Sequence, residues 1–216
     1  MKKRIVILGT GSNSLEIAEM AQLPAFASLE VAGFLADGLE IGTKVHGIPV
    51  LGGLGDAQQI DDVYFVNGIG SSGNYASRHE FIRKTGISDE RFMTLVHPSA
   101  SVSPSAELKH GVVLFQNVVI GMKAVIGNHV IALPQTTVSH NTLVGDHACL
   151  ATGVILSGSC VVGESCYLGA GCVTRERTQI GSGSLVGAGS VVIDNIAPQT
   201  VAAGNPARPL RPSHNV

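Results

Sequence analysis

The chain has 216 residues, of which 44% are hydrophobic, 14% are charged and only 4% are aromatic, with 27 glycines and no tryptophan. This profile excludes a disordered chain, which would be rich in charge and poor in aliphatic residues. The net charge of −2 provides no general basic surface for nucleic acid, and no stretch approaches the roughly 20 apolar residues of a membrane span. We expect a cytoplasmic protein with short strands and tight turns, which small, β-branched and glycine residues favour.

The first 95 residues alternate between predicted strands and helices. Residues 4–8 form a continuous apolar run that is typical of a buried parallel strand, and a glycine-containing turn follows it. The pattern then predicts, in order, a helix over 15–23, strands over 31–35 and 63–66, and a helix over 77–85. Because such alternation predicts a small parallel sheet, we assign residues 1–95 to a small Rossmann-like α/β domain.

The turn Gly9-Thr10-Gly11 after the first strand allows three interpretations. A dinucleotide fingerprint requires a third glycine where Ser14 stands, and the domain is short for two mononucleotide halves; both points disfavour an NAD site. A nucleotide phosphate at the start of the helix is the second interpretation, since backbone N–H groups and the helix dipole favour an anion there. The third is a strand-to-helix turn without a ligand. The sequence leaves the last two open.

A six-residue period begins at Val102 and continues to Val192. Its positions are Val102, Leu108, Leu114, Ile120, Ile126, Ala132, Val138, Val144, Leu150, Leu156, Val162, Leu168, Thr174, Ile180, Val186 and Val192. Alternation by two within each hexad indicates strand, and three hexads make one triangular coil of a hexapeptide β-helix. We predict a left-handed parallel β-helix of about five coils within residues 96–216. The proline-rich tail after Val192 is predicted to run along the surface.

The β-helix offers four histidines as candidate ligands or bases: His110, His129, His140 and His147. No two of them are five residues apart, as in zinc-dependent β-helix enzymes, so we expect no metal. His140 follows the inward Val138 by two residues, near a corner, where an outward imidazole can reach a substrate or a neighbouring chain. An imidazole has an ordinary pKa near neutrality and suits a general base; a solvated corner histidine is the alternative. His129 and His147 are weaker candidates.

Several motifs along the chain point to one family. They are the first strand with its glycine turn, Gly33-Phe34-Leu35-Ala36-Asp37, Gly47-Ile48-Pro49-Val50-Leu51-Gly52, Leu95-Val96-His97-Pro98-Ser99-Ala100, Val138-Ser139-His140-Asn141, Val144-Gly145-Asp146 and Gly204-Asn205-Pro206-Ala207-Arg208. With these motifs the chain resembles, over nearly its whole length, the two-domain sugar O- and N-acyltransferases of the sialic acid O-acetyltransferase type. That family includes enzymes that acetylate nucleotide-linked amino sugars such as bacillosamine and perosamine precursors.

The resemblance implies a homotrimer with active sites between adjacent β-helices, which the three flat faces and low charge also favour. It implies acetyl-CoA along the groove and a nucleotide-linked sugar on the N-terminal domain. The general base falls on His140, followed by Asn141 where the family usually has Asp or Glu. The implied sugar-nucleotide contacts are Gly11, Ser12, Asn13, Asp37 and Gly70, and the implied CoA contacts are Cys149, Ala170 and Ala188.

We therefore expect direct transfer of an acetyl group from acetyl-CoA to an amine or hydroxyl of a nucleotide-linked sugar, with His140 removing the proton. A thioester is already activated, so no serine or cysteine nucleophile is needed; a covalent role for Cys149 is the less favoured route. The alternative is a non-catalytic trimeric nucleotide-sugar-binding or scaffold protein. Asn141 favours that alternative, and the intact His140 opposes it.

Overall fold

The computed structural model describes residues 2–213. Within them the chain divides into two compact units. The first unit contains the residues up to Gly70 together with Arg78–Thr94, and the second contains Ser71–Ser77 and the residues from Leu95 onward. A short segment from the first half of the sequence is therefore part of the second unit.

The first unit is a five-stranded sheet with two α-helices. Its elements are β1 (Lys3–Leu8), α1 (Ser12–Met20), β2 (Leu29–Leu35), β3 (Lys44–Val45), β4 (Ile48–Gly52), β5 (Val63–Asn67) and α2 (Arg78–Thr85), with 3₁₀ turns at Pro24–Phe26, Leu54–Gln59 and Asp89–Arg91. The strand order is β3-β4-β2-β1-β5, and β1 is parallel to both of its neighbours. Residues 5–8 of β1 are fully buried, as their apolar run predicts for a central parallel strand.

Two details of this unit differ from the sequence-based prediction. Helix α1 begins at Ser12 rather than at residue 15, because the extended Gly11 is its N-cap and accepts a hydrogen bond from the Leu15 N–H at 3.1 Å. The predicted parallel sheet also carries an antiparallel hairpin, β3–β4, at one edge. Its two turn residues, His46 and Gly47, both have positive φ, which matches the twist of a two-residue hairpin turn.

The second unit is a parallel β-helix of two-residue strands. They are β6 (Leu95–Val96), β7 (Ser101–Val102), β8 (Glu107–Leu108), β9 (Val113–Leu114), β10 (Val119–Ile120), β11 (Val125–Ile126), β12 (Ile131–Ala132), β13 (Thr137–Val138), β14 (Leu143–Val144), β15 (Cys149–Leu150), β16 (Ile155–Leu156), β17 (Val161–Val162), β18 (Tyr167–Leu168), β19 (Val173–Thr174), β20 (Gln179–Ile180), β21 (Leu185–Val186) and β22 (Val191–Val192), followed by β23 (Thr200–Gly204) and β24 (Ala207–Pro212).

These strands form three faces, and each full coil contributes one strand to every face. The first face has the order β24-β23-β21-β18-β15-β12-β9-β6, the second β22-β19-β16-β13-β10-β7, and the third β20-β17-β14-β11-β8. Partners within a face are 18 residues apart, as in Ile120 opposite Val138. The hexad residues from Leu114 to Val192 are all buried. The predicted period and its inward positions are therefore confirmed.

Both ends of the β-helix extend beyond the predicted hexads. Strand β6 already pairs with β9, one hexad before Val102. At the other end, β23 adds to the first face beside β21, and β24 returns antiparallel to it. The predicted surface position of the tail is therefore wrong for β23, where Val201 and Ala202 supply two more buried apolar residues, and right for β24, in which only Ala207 is buried.

The segment Ser71–Ser77 packs on the second unit through Tyr75. The Tyr75 ring lies 6.0 Å from the ring of Tyr167 on β18, and its hydroxyl donates to the Gly183 carbonyl at 3.4 Å. Tyr75 is buried, and that burial raises the pKa of its phenol. A side chain of this size contributes strongly to the packing of the segment on the β-helix.

Candidate functional site

His140 lies at the corner between the second and third faces, directly after strand β13. Its side chain is exposed, and its carbonyl accepts a hydrogen bond from the Ser159 N–H of the next coil at 2.9 Å. The inward Val138 two residues earlier is fully buried. Burial of the hexad residue therefore fixes the backbone while leaving the imidazole accessible, as the sequence predicts.

The imidazole of His140 lies across Gly158, which occupies the same corner one coil further on. A Cβ atom at Gly158 would lie 2.6 Å from both Cε1 and Nε2 of His140, far inside van der Waals contact. Other coils carry Met122 and Glu176 at this corner position, so a side chain is tolerated in the repeat itself. Glycine at position 158 is therefore required by the contact with the imidazole and not by the repeat.

Asn141 continues the corner with a left-handed backbone. Its φ is +58°, and its N–H donates to the Met122 carbonyl at 2.9 Å. Lys123, Ser159 and Arg177 have positive φ at the same position in other coils. Asparagine tolerates this conformation better than most residues, which gives Asn141 a structural reason to be present whatever it does for His140.

The sugar-nucleotide residues expected from the resemblance lie at the carboxyl ends of β1, β2 and β5. The side chain of Asn13 donates to the Gly70 carbonyl at 2.9 Å, which joins two of these residues although 57 positions separate them. Gly11 and Ser12 are exposed at the start of α1. Since β2 and β5 lie on opposite sides of β1, the turn occupies the switch point where α/β sheets commonly bind ligands.

Ser14 takes the place of the third fingerprint glycine, and the structure shows how the helix still packs closely. Its hydroxyl donates to the Leu8 carbonyl at 3.0 Å. On the other side, a Cβ at Gly68 would lie 2.3 Å from the Ser14 hydroxyl oxygen. Gly68 at the end of β5 therefore supplies the close approach that a glycine in the helix would otherwise provide.

Asp37, at the end of β2, is held by two groups of its own unit. Its carboxylate accepts from the Lys84 ammonium at 2.8 Å and from the Leu54 N–H at 3.1 Å. The hydrogen bond from Lys84 is the main cause that lowers the pKa of Asp37, so this exposed carboxylate is ionised at neutral pH. Asp37 also lines a cavity of about 200 Å³ together with Gly9, Thr10 and Ile69.

The expected CoA residues divide between a corner and a face. Ala170 and Ala188 are exposed and stacked at the corner between the first and second faces, where the Gly189 N–H donates to the Ala170 carbonyl at 2.8 Å. Cys149 lies on β15 of the first face, opposite Tyr167, and is only 5% exposed. Burial disfavours a thiol as a nucleophile, so the structure offers no support for a covalent role of Cys149.

Two other histidines of the β-helix lie against each other. His129 and His147 stack at the corner between the third and first faces, with ring centroids 5.2 Å apart and planes 6° from parallel. Across residues 2–213, no group of three or more His, Cys, Asp or Glu side chains could hold a metal ion.

Comparisons with known proteins agree with this architecture. Residues 159–194 match the family described as bacterial transferase hexapeptide (six repeats). The acetyltransferase domain of PglB from Neisseria gonorrhoeae FA1090, solved in complex with acetyl coenzyme A, is 28% identical with a TM-score of 0.85, covering 97% of this chain and 100% of that chain. PerB from Caulobacter crescentus, in complex with CoA and GDP-perosamine, is 28% identical with a TM-score of 0.82, over 96% of this chain and 97% of that chain.

The chain is therefore similar, in fold and at 28% sequence identity, to acetyltransferases that were solved with acetyl-CoA or CoA, and part of it matches the hexapeptide-repeat model. Both the resemblance stated from the sequence and the predicted left-handed parallel β-helix are thereby confirmed. The same fold recurs in WeeI from Acinetobacter baumannii AYE, which is 21% identical with a TM-score of 0.69 over 97% of this chain and 100% of that chain. No curated protein sequence matches this chain significantly.

Sequence reasoning missed two residues whose relation to the candidate site depends on long-range contacts. Gly158 has no motif of its own, and only its spacing of 18 residues from His140 signals the contact. Asn67, at the end of β5, is fully buried, and its amide NH₂ group has no hydrogen-bond partner within residues 2–213. Nothing in the sequence distinguishes Asn67 from an ordinary strand end.

Proposed function

We propose that the chain is an acetyl-CoA-dependent acetyltransferase that acts on a nucleotide-linked amino sugar with His140 as the general base. One observation carries the proposal: an accessible imidazole stands on a corner of a hexapeptide β-helix that matches acetyltransferases solved with acetyl-CoA or CoA over their full length. The substrate class follows from GDP-perosamine bound to one of those relatives.

In this mechanism the amine of the acceptor attacks the carbonyl carbon of the thioester while His140 takes the proton from the nitrogen. The tetrahedral intermediate then collapses, the C–S bond breaks, and the CoA thiolate leaves and is protonated. No acyl-enzyme forms, because the thioester is already activated. Holding both substrates in one groove contributes much of the rate.

The nucleotide-linked sugar is assigned to the switch point of the first unit. The exposed N–H groups of Gly11 and Ser12 at the start of α1 suit a phosphate, and Asn13 and Gly70 border the same turn. The buried NH₂ group of Asn67 offers a donor beside it that a ligand oxygen would satisfy. Asp37, fixed by Lys84, is assigned to a hydroxyl or amine of the ligand.

The chain is further proposed to act as a homotrimer. Five exposed large apolar residues of the β-helix surround the His140 corner: Val119 and Ile155 on the second face, Leu143 and Val161 on the third, and Met122 at the corner itself; Leu210, on β24 of the first face, is also exposed. Ala170 and Ala188 lie at a different corner, in later coils of the β-helix. A groove containing both the base and the CoA residues therefore requires a second chain.

The assembly is tested by sedimentation. We expect a species of three times the 22.3 kDa chain at micromolar concentration. Leu143→Asp should shift it towards monomer because it places a charge among exposed apolar residues of the third face. The matched change Leu39→Asp, at an exposed leucine of the first unit, should not. A wild-type chain that sediments as a stable monomer contradicts the trimer.

The activity is tested by release of the CoA thiol from acetyl-CoA in the presence of a panel of nucleotide-linked amino sugars. We expect release that depends on both substrates and that stops when the amine is replaced by hydrogen. If a nucleotide sugar binds without any thiol release across the panel, the scaffold alternative replaces the enzyme. The cytoplasmic location predicted from the sequence remains a prediction; within residues 2–213, no helix is long and apolar enough to cross a membrane.

Asn141, next to the proposed base, allows a prediction about the pH dependence of kcat/KM. In Asn141→Asp, a negative charge beside His140 favours the imidazolium, so the pKa of the base rises. Because the base is lost on protonation, we expect the acidic limb of the kcat/KM profile to move to higher pH. Aspartate also tolerates positive φ, so the fold should persist. Asn141→Gly, which suits the backbone but adds no charge, should leave the limb in place; an unmoved limb in Asn141→Asp would contradict the assignment.

A further inference from the structure

The second face contains one irregular rung, between β16 and β19. These strands share only the pair Ile155 and Val173, whereas neighbouring pairs on this face share two. Elsewhere the residue after the inward position donates its N–H to the inward carbonyl of the next coil, as Ser139 does to Leu156 at 2.9 Å. Ser157 instead donates its N–H to the Thr174 side-chain oxygen at 3.0 Å and its hydroxyl to the Thr174 carbonyl at 2.6 Å.

Thr174 is also an exception to the hexad pattern. It occupies an inward position that is aliphatic in nearly every other coil, and it is only 1% exposed. Burying a hydroxyl costs free energy unless it is hydrogen-bonded, and here it is bonded to Ser157 and lies 3.2 Å from the Cys160 sulfur. An aliphatic residue would pack in the axis at least as well, so we attribute the presence of the Thr174 hydroxyl to its hydrogen bonds.

Those bonds fix the corner that supports His140. Residues 157–160 form the turn whose outer surface, at Gly158, lies under the imidazole. From inside, Thr174 holds Ser157, and Thr142 donates to the Ser157 carbonyl at 2.9 Å. The Cys160 N–H in turn donates to the Thr142 hydroxyl at 3.3 Å. The corner is therefore bonded at both of its ends, while the ring rests on its middle.

We propose that Thr174 and Ser157 are positioning residues that hold the Gly158 corner as a platform for the His140 imidazole. The proposal rests on the proposed role of His140 as general base. A general base acts only within hydrogen-bond reach of the proton that it removes, and small displacements of reacting groups cost large factors in rate. The platform sets the position of the ring, and the missing Cβ of Gly158 leaves room for the Cε1–Nε2 edge of the imidazole.

The test compares turnover in variants of the full chain. Thr174→Val removes the acceptor and keeps the branched shape, and we expect kcat to fall by about 10- to 100-fold with KM for acetyl-CoA changed less than about twofold. Thr174→Ser keeps the hydroxyl and should restore most of kcat. Gly158→Ala should lower kcat similarly, and it carries the test if Thr174→Val does not fold, because the φ of Gly158 is not positive.

The control is Ser184→Ala, at a different corner. Like Thr174, Ser184 has an internal hydroxyl that accepts a hydrogen bond from a backbone N–H, here that of Thr200 at 3.1 Å. This substitution should lower the melting temperature without lowering kcat. In a His140→Ala background, Thr174→Val and Gly158→Ala should change the residual rate less than about twofold, since no ring remains to be positioned. Wild-type kcat in both variants, or an equal loss without the imidazole, would overturn the proposal. His140→Ala alone tests the general base separately.

Discussion

Replacing His140 by alanine is expected to lower the turnover number for acetyl transfer by roughly 10²–10⁴, the usual contribution of a positioned acid–base group. The imidazole is exposed on its corner, and in the proposed mechanism it acts on the acceptor nucleophile and not on the thioester carrier. Affinity for acetyl-CoA should therefore change little. Steady-state thiol release measures the turnover number, and calorimetric titration with CoA measures the affinity.

The matched control for this change is His110→Ala. His110 is another exposed histidine of the β-helix, at the corner between the third and first faces, and its removal should leave turnover within about twofold of wild type, the range of an ordinary surface substitution. A His140→Ala enzyme with near wild-type turnover would remove the general base from the mechanism. Cys149 would then be the next residue to test despite its burial.

Replacing Leu156 by aspartate is expected to abolish soluble protein. Leu156 is fully buried in the apolar axis of the β-helix, where a carboxylate would have neither water nor a cationic partner. Because each coil packs on the next, the damage should spread beyond one strand. Expression in the soluble fraction, followed by circular dichroism of any recovered protein, measures the outcome.

The neighbouring residue on the same strand provides the control. Ile155 points outward and is 42% exposed, so Ile155→Asp places the same charge in solvent. That variant should fold, although its assembly should weaken because Ile155 belongs to the apolar surface around the His140 corner. Equal solubility of the two aspartate variants would show that the inward register of β16 is wrong.

Much of the second unit could be predicted because its pattern is local. The face that a residue occupies in a two-residue strand depends only on alternation along the backbone, and the repeat of six states where each corner falls. Val138 and Leu156 could therefore be assigned to the axis, and His140 to a corner, without knowing any partner. The ends of the repeat were harder to predict, because the buried residues around Val201 depart from the six-residue spacing where the last coil closes.

The first unit was predicted less completely, because less of its structure follows from a local pattern. Strands β1, β2 and β5 are strongly apolar and could be recognised. The hairpin β3–β4 is short, has no buried residue in β3, and depends on its turn at His46 and Gly47. The packing of Ser14 against Gly68 joins segments that are distant in sequence. No local pattern encodes such a contact.

The sequence alone determined the six-residue period and the residues that line the axis, and it predicted the two-part organisation and His140 as the candidate base. Only the tertiary structure decided which groups meet: the imidazole over Gly158, the Thr174–Ser157 rung beneath it, the Asn13–Gly70 link and the Lys84–Asp37 ion pair. The six-residue period involves residues that are close in sequence, so it can be recognised in the sequence itself. Contacts between residues 17 to 57 positions apart depend on how whole coils and strands stack, and that is fixed only when the chain folds.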